Sequence, residues 1–236
     1  GMTYGDALQQ MFLPNQFGMM MVAEGDADAF LSGFSSKYAD VIKPAIQIAG
    51  TNNPQKHIAG MYIVHTKKGP YFFADTTVNV QPSSRTLVET ALLVAGQVEH
   101  FNIEPVIALV SYSNFGAING PSTIRSREAV EILHKEHPEL IVDGEMQMNY
   151  ALNTELRMQK FPFSKLRDKK VNTIIFPDLS SGNIAYKMMQ EIGGSQVTGP
   201  IVLGLGKPIH ILQMESDVRE IVDMAAFAVV DAQFRG

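Results

Sequence analysis

Short apolar runs alternate along this chain with longer segments whose apolar residues recur at helical spacing. The runs are rich in Val and Ile and are bounded by Gly, Pro, Asn or Asp, which is typical of strands covered on both faces of a parallel sheet. The predicted strands are Met61–His65, Tyr71–Phe73, Val106–Tyr112, Leu140–Val142, Thr173–Phe176, Ile201–Leu205 and Ile209–Leu212. The predicted helices are Ser84–Phe101, Arg125–His137, Ser180–Ile192 and Asp217–Phe234. Alternation of strands with helices predicts an α/β fold with a mostly parallel sheet.

Residues 1–60 depart from this alternation. Their pattern predicts mainly helices and turns, with helices at Asp26–Ser32 and Tyr38–Ile48 and no strong strand beside them. A helix needs another layer of structure against which to bury its apolar stripe. We therefore expect the chain to be a fragment of a longer protein whose missing part precedes residue 1.

Composition and charge exclude several classes of function. The net charge is −5 and the Lys/Arg residues form no cluster larger than Lys67-Lys68 or Lys169-Lys170, which argues against nucleic acid as a partner. The apolar runs are too short to cross a membrane, and no signal-peptide pattern is present. The absence of cysteine excludes disulfides, thiolate zinc and a cysteine nucleophile, and predicts a cytoplasmic protein. Because HExxH, GxGxxG and Walker A motifs are also absent, we expect no metal site and no nucleotide site of those kinds.

Two predicted strand-to-helix junctions carry candidate ligand-binding chemistry. In open α/β sheets, ligands bind beyond the carboxyl ends of strands, where loop and helix N–H groups are free. The turn Ser111–Gly116 is small and rich in hydroxyl groups, so it is a candidate anion site. The segment Asp178–Lys187 begins with capping residues and places Asn183 and Lys187 one turn apart on one helix face. A capped turn and a solvated helix face account equally well for these two patterns.

A pair of carboxylates, Asp143 and Glu145, follows the strand predicted at Leu140–Val142. These groups could form a metal or acid–base pair. A turn capped by an acidic residue is the more ordinary explanation.

Several short segments, taken in order, resemble the phosphate acetyltransferase/butyryltransferase family over nearly the whole chain. The segments are Glu24–Asp28, Phe73–Asp75, Val142–Gln147, Ile175–Leu179, Gly182–Lys187, Gly199–Ile201 and Gly206–Pro208. Details at Phe161–Leu166, His210–Gln213 and Ala228–Gln233 resemble the C-terminal domain of bacterial NADP-dependent malic enzymes. The resemblance implies a two-lobed phosphotransacetylase fold, similar to isocitrate dehydrogenase, with the first lobe truncated. We expect a central α/β lobe at residues 61–199, and part of a second lobe at 1–60 and 200–236.

The resemblance also assigns site residues. True transferases carry a motif resembling Leu-Ser-Arg-Gly-x-Ser-x-x-Asp-Ile-Val, whose serine stabilises charge, whose arginine binds phosphate and whose aspartate deprotonates the CoA thiol. Here Gln213, Met214 and Glu220 stand at those three positions. The expected ligand-binding positions are Lys43, Thr76, Ser111, Ser113, Asn114, Gly116, Asp178, Asn183 and Lys187. Lys43 stands where transferases carry arginine, and lysine cannot reproduce the bidentate fork. We therefore expect no catalytic residues and no transferase activity in this chain.

These features favour a regulatory and assembly domain that binds a CoA ester or another phosphate-containing small molecule. The resemblance implies that acetyl-CoA is the effector, and that NADP, Mg or Mn and the conversion of malate to pyruvate belong to domains outside this chain. Two alternatives remain open at this point. One is an active acetyl- or butyryltransferase with Glu220 as its base, and the other is a purely structural oligomerisation domain.

The helix predicted at Asp217–Phe234 bears on assembly. Its apolar residues cover more than one face, which is unusual for a helix with a solvated side. They are Val218, Ile221, Val222, Ala225, Phe227, Ala228, Val229 and Val230. Because the resemblance implies a two-fold pair, we expect a homo-oligomer, at least a dimer. A monomer with this helix internal is the competing interpretation.

Overall fold

The computed structural model describes residues 3–235. They divide into two compact units, one formed by the residues up to 58 with those from 198 onward, and the other by residues 59–197. The lobes expected from the sequence have boundaries two residues later. Among the described residues, no helix is both long enough and apolar enough to span a membrane.

The helices and strands are numbered here in chain order. The helices are α1 Tyr4–Gln10, α2 Pro14–Glu24, α3 Tyr38–Ala49, α4 Ser84–His100, α5 Pro121–Glu136, α6 Met148–Leu152, α7 Thr154–Lys160, α8 Leu179–Glu191 and α9 Val218–Arg235. The strands are β1 Phe30–Ser32, β2 Ala59–Thr66, β3 Gly69–Ala74, β4 Val106–Val110, β5 Ile141–Met146, β6 Thr173–Ile175, β7 Gln196–Leu203 and β8 Ile209–Ile211.

The second unit is built on a mostly parallel sheet with the strand order β5-β4-β6-β3-β2. The pairs β5/β4, β4/β6 and β6/β3 are parallel, whereas β2 and β3 form an antiparallel hairpin. All residues of β4 are buried, so both of its faces are covered, as the uninterrupted apolar run predicts. The α/β fold class expected from the sequence is therefore confirmed.

The first unit contains a small two-stranded sheet in which β1 and β8 are parallel. Its buried core is formed by residues of α2, α3 and β8, among them Met19, Val41 and Ile209. The helix predicted at Asp26–Ser32 is wrong. Gly25 adopts a left-handed conformation that ends α2, and the chain then extends because β1 pairs with β8, a partner far away in sequence.

Helix α9 buries only part of the apolar surface that its sequence predicts. Its buried residues are Met224, Phe227, Ala228 and Asp231. Val218, Val222 and Val229, which the sequence places on the apolar stripe, are 78%, 60% and 57% exposed. The single chain therefore leaves part of that stripe uncovered.

Strand β5 is longer than the sequence predicts and continues to Met146. Its parallel pairing with β4 places Asp143 opposite Ala108 and Gly144 opposite Leu109. The two carboxylates expected after the strand are therefore part of it, because pairing with a neighbouring strand extends β5 through polar residues. Both Asp143 and Glu145 are buried.

Candidate functional site

The carboxyl ends of three adjacent parallel strands form one edge of the second unit's sheet. Strands β4, β6 and β3 are neighbours and run in the same direction, so the residues that follow Val110, Ile175 and Ala74 emerge at the same edge. Most of the ligand-binding positions expected from the sequence lie on these three loops or on the helix that follows β6. This is the edge at which open α/β sheets bind ligands.

Asp75 organises the loop after β3. Asp75 is 4% exposed. Its carboxylate accepts backbone N–H bonds from Gly60 (3.1 Å), Thr77 (2.8 Å), Val78 (3.0 Å) and Asn79 (2.8 Å). The side-chain amide of Asn79 donates a further bond to it. A carboxylate that accepts this many donors holds the loop in one conformation.

Thr76, an expected ligand position, is fully buried by the same loop. Its N–H and its hydroxyl both donate to the carbonyl of Gly60, at 3.1 and 3.2 Å. The side-chain amide of Asn183 donates to the Thr76 carbonyl at 3.3 Å. Glycine is required at position 182, because a Cβ there would collide with the Asp75 carbonyl oxygen. The structure thus brings Thr76 and Asn183 together.

Helix α8 begins at this edge with Asp178 as its N-cap. The Asp178 carboxylate accepts bonds from the N–H of Ser181 at 2.8 Å and from its hydroxyl at 3.0 Å. Further along, Lys187 is exposed, and its amino group lies 5.3 Å from the ring centroid of Tyr186. A carboxylate therefore already occupies the helix N-terminus at which an anion was expected.

Several polar groups of the turn after β4, at Ser111–Gly116, are already hydrogen-bonded to other groups of the protein. The Ser113 hydroxyl accepts the N–H of Ile118 at 3.0 Å, and the Asn114 side-chain oxygen accepts the N–H of Gln147 at 2.8 Å. These side chains therefore hold the turn itself in shape.

Gly116 ends this turn with a left-handed backbone, at a φ of +84°. It donates its N–H to Glu145 Oε1 at 2.8 Å. A buried carboxylate thus takes up an N–H group that an anion would otherwise use. The turn offers an anion fewer free N–H groups than the sequence suggests.

Two buried polar atoms near the ends of β4 and β5 have no hydrogen bond among the described residues. They are the Ser111 hydroxyl and the second carboxylate oxygen, Oε2, of Glu145. Glu145 is fully buried, and Arg127 Nη1 lies 3.9 Å from its Oε1. Buried polar atoms without partners are rare in folded proteins, so this pair distinguishes the turn from its well-bonded surroundings.

The carboxylate of Asp143 holds a different loop from that of Glu145. It accepts bonds from the Ser164 hydroxyl at 2.7 Å and from the Lys165 N–H at 2.8 Å. The two carboxylates therefore organise separate loops, and both lie within β5 rather than in the capped turn that the sequence favours. No group of three or more His, Cys, Asp or Glu side chains suited to a metal ion occurs within residues 3–235.

Aromatic side chains pack beside the Ser111–Gly116 turn. The ring centroid of Phe115 lies 4.9 Å from that of Phe161 and 5.0 Å from that of Phe163, and Phe161 lies 4.9 Å from Tyr150. Phe163 is 68% exposed. The turn is bordered by an aromatic surface that sequence spacing did not reveal, because its members lie far apart in the chain.

A buried arginine fixes the loop that carries two of these aromatics. Arg157 is fully buried and donates to the carbonyls of Leu166 (2.8 Å), Tyr150 (2.7 Å), Ala151 (2.7 Å) and Lys169. Burial lowers the pKa of Arg157, and nearby carboxylates oppose that shift. The sequence offered no signal that distinguished this arginine from the others.

The remaining expected positions lie in the first unit. Lys43 is exposed on α3, and Met214 is 54% exposed in the loop after β8. Gln213 donates its N–H to the Ser216 hydroxyl at 3.2 Å. Glu220 lies in the first turn of α9. Burial raises the pKa of Glu220, and neighbouring acidic residues reinforce the shift while hydrogen bonds oppose it.

The fold defines a class of α/β protein built on a mostly parallel sheet, and comparison with known proteins identifies the family. The family model for phosphate acetyl/butaryl transferase matches residues 1–229. The chain belongs to this family.

Phosphate acetyltransferases and malic enzymes both occur among its relatives. Phosphate acetyltransferase of Bacillus subtilis (strain 168) is 34% identical over 230 residues, which cover 98% of this chain and 71% of that protein. NADP-dependent malic enzyme of Escherichia coli (strain K12) is 35% identical over 221 residues, which cover 93% of this chain but 29% of that protein. A phosphotransacetylase structure from Streptococcus pyogenes is 35% identical with a TM-score of 0.92, covering 98% of this chain and 70% of that one. The family resemblance and the phosphotransacetylase fold expected from the sequence are confirmed.

Proposed function

We propose that this chain binds acetyl-CoA or a related phosphate-containing ligand and does not transfer the acyl group to phosphate. One observation carries this proposal: Met214 stands where the family motif has its phosphate-binding arginine. A thioether cannot form the charged, bidentate hydrogen bonds that arginine makes to phosphate. Gln213 and Glu220 replace the other two residues that the resemblance assigns to catalysis.

The role that fits such a chain is regulation and assembly. We propose that it forms the C-terminal part of an NADP-dependent malic enzyme, with acetyl-CoA as an effector. Conversion of malate to pyruvate and CO2, with NADP and Mg or Mn, would belong to other domains. The similarity to the E. coli malic enzyme supports this role. An in-frame malic domain upstream of this chain in the gene is the observation that tests it.

An active phosphate acetyl- or butyryltransferase is the second candidate, and the comparisons favour it. This chain covers 71% of the phosphate acetyltransferase of B. subtilis but 29% of the malic enzyme of E. coli. Glu220 would be the base that removes the CoA thiol proton, and its raised pKa brings the carboxylate closer to the range suited to general-base work. The missing arginine is the physical reason for ranking this candidate second.

Titration calorimetry with acetyl-CoA tests the binding proposal on the full-length protein. We expect saturable binding, and about a fivefold weaker affinity for Lys187→Gln because that amino group would face a ligand phosphate. Lys160→Gln removes the same charge from another exposed helix position of the second unit and serves as the matched control. Failure to bind acetyl-CoA, CoA and acetyl phosphate would leave the purely structural domain as the function.

We also propose that the chain self-associates, at least as a dimer. The support is the exposed valine stripe of α9, formed by Val218, Val222 and Val229. Contact with a partner would remove these side chains from water, which is favourable for apolar surface.

A further inference from the structure

A cleft of about 510 Å³ lies in the second unit, away from the site described above. It is formed by the turn between β2 and β3, the end of α6 and the segment that follows α8. The turn precedes β3, whereas Asp75 and Thr76 follow it, so the cleft lies at the opposite edge of the sheet. Helix α8 runs from one edge toward the other, and its 13 residues span about 20 Å.

The floor of this cleft is apolar. Val64, Tyr71, Phe73, Leu152 and Met189 line it. Leu152 is 45% exposed although it is a large apolar side chain. The size of the cleft and its apolar floor are typical of small-molecule sites.

The rim of the cleft is positively charged. Lys67 and Lys68 line it, and the described lining residues include no Asp or Glu. Neither lysine forms an ion pair in the part of the chain that the structure describes. Lys170 adds a third cation nearby, because its amino group donates to the Lys68 carbonyl at 2.7 Å. The rim therefore favours a negatively charged group.

The carbonyl groups at the C-terminal end of α8 could reduce the positive potential of the lysines if they lacked hydrogen bonds. The Met188 carbonyl accepts the N–H groups of Ile192 and Gly193, at 2.9 and 3.2 Å, and the Met189 carbonyl accepts that of Ser195 at 3.0 Å. Because the capping turn satisfies these carbonyls, the negative end of the helix does not present them to the cleft unpaired.

We propose that this cleft binds a small amphipathic anion. Its apolar chain or ring lies against Tyr71, Leu152 and Met189, and its single carboxylate or phosphate lies beside Lys67 and Lys68. The site is independent of the function proposed above, because it uses none of the residues at the other edge of the sheet.

Calorimetry with four probes separates the parts of this proposal: octanoate, octyl phosphate, 1-octanol and inorganic phosphate. We expect saturable binding of octanoate or octyl phosphate, with the tighter of the two identifying the head group. 1-Octanol lacks the charge and inorganic phosphate lacks the apolar body, so both should bind at least about tenfold more weakly. Equal binding of octanol and octanoate, or of inorganic phosphate and octyl phosphate, overturns the proposal.

Variants locate the site. The double variant Lys67→Gln/Lys68→Gln should weaken binding of the tighter probe about tenfold. Lys135→Gln/Lys160→Gln makes the same change in charge at exposed positions and should leave the affinity unchanged. The 13C-methyl resonance of Met189 should shift on binding. Unchanged affinity in the first double variant, an unmoved Met189 signal, or no saturable binding contradicts the proposal.

Discussion

Asp75 offers a sharp test of how the candidate site is held in place. We predict that Asp75→Asn destabilises the second unit and weakens binding of acetyl-CoA. The substitution exchanges one carboxylate oxygen for an NH2 group of nearly the same size, so packing is preserved. What changes is the hydrogen bonding, because the carboxylate accepts bonds on both of its oxygens.

The expected magnitude follows from the donors on each oxygen. The amide oxygen of the variant can still accept the N–H groups of Gly60, Thr77 and Val78, which all bond to Oδ1. The new NH2 group would instead face the two donors of Asn79 that bond to Oδ2. An unsatisfied buried donor costs about 1–3 kcal/mol. Because Asn79 is half-buried, placing the NH2 group against its two donors should cost about 3 kcal/mol in total. For a chain of this length, that loss lowers Tm by about 6–12 °C.

Thermal unfolding followed by circular dichroism measures the first effect, and calorimetry with acetyl-CoA measures the second. Asp26→Asn, at an exposed position of the first unit, controls for the loss of one negative charge. If Asp75→Asn melts within about 2 °C of the parent chain, the hydrogen bonds of this carboxylate do not hold the loop and the reasoning is refuted.

Three further predictions concern stability and assembly. Arg157→Met should lower the free energy of unfolding by about 3–5 kcal/mol, because it leaves buried carbonyls without their charged donor, and a urea titration would show it. The second prediction concerns Asp231, whose Oδ2 lies 3.1 Å from His210 Nε2 and whose Oδ1 lies 2.8 Å from Arg235 Nε. Burial raises the pKa of Asp231, but these two partners outweigh that effect and lower the pKa. The stability that Asp231 contributes is therefore complete above its ordinary pKa of about 3.9 and is lost as pH falls below that value. Below about pH 4, urea midpoints should therefore depend less on pH in Asp231→Asn than in the parent chain. Light scattering should give the mass of at least a dimer for the parent chain, and Val222→Asp should shift that mass toward the monomer. A one-chain mass for the folded parent at every concentration would contradict self-association.

Strands of the second unit can be predicted from the sequence because their consecutive residues are buried and therefore form uninterrupted apolar runs. The strand predicted from Val106 onward begins where β4 begins, since adjacent apolar residues there are covered on both faces. β1 was missed because it has three residues and depends on pairing with β8. Local composition carries no information about a partner so distant in sequence.

The sequence predicts which loops carry the candidate site residues, but not the contacts that these residues make. The rule that ligands bind at the carboxyl ends of parallel strands selects the loops that carry Ser111 and Asp178, whereas Thr76 comes from the family resemblance. It could not reveal that carboxylates already occupy several N–H groups there, since many of those bonds join residues from different loops. Gly116 and Glu145, for example, are brought together only by the β4/β5 pairing.

Formation of acetyl-CoA from acetyl phosphate and CoA, measured on the full-length protein, tests the central claim most directly. The phosphate acetyltransferase of B. subtilis, assayed in parallel, supplies the rate of an active relative. We predict no turnover above the uncatalysed background, because Met214 cannot bind phosphate as the motif's arginine would. Turnover approaching that of the B. subtilis enzyme would contradict this account and establish the chain as an active transferase.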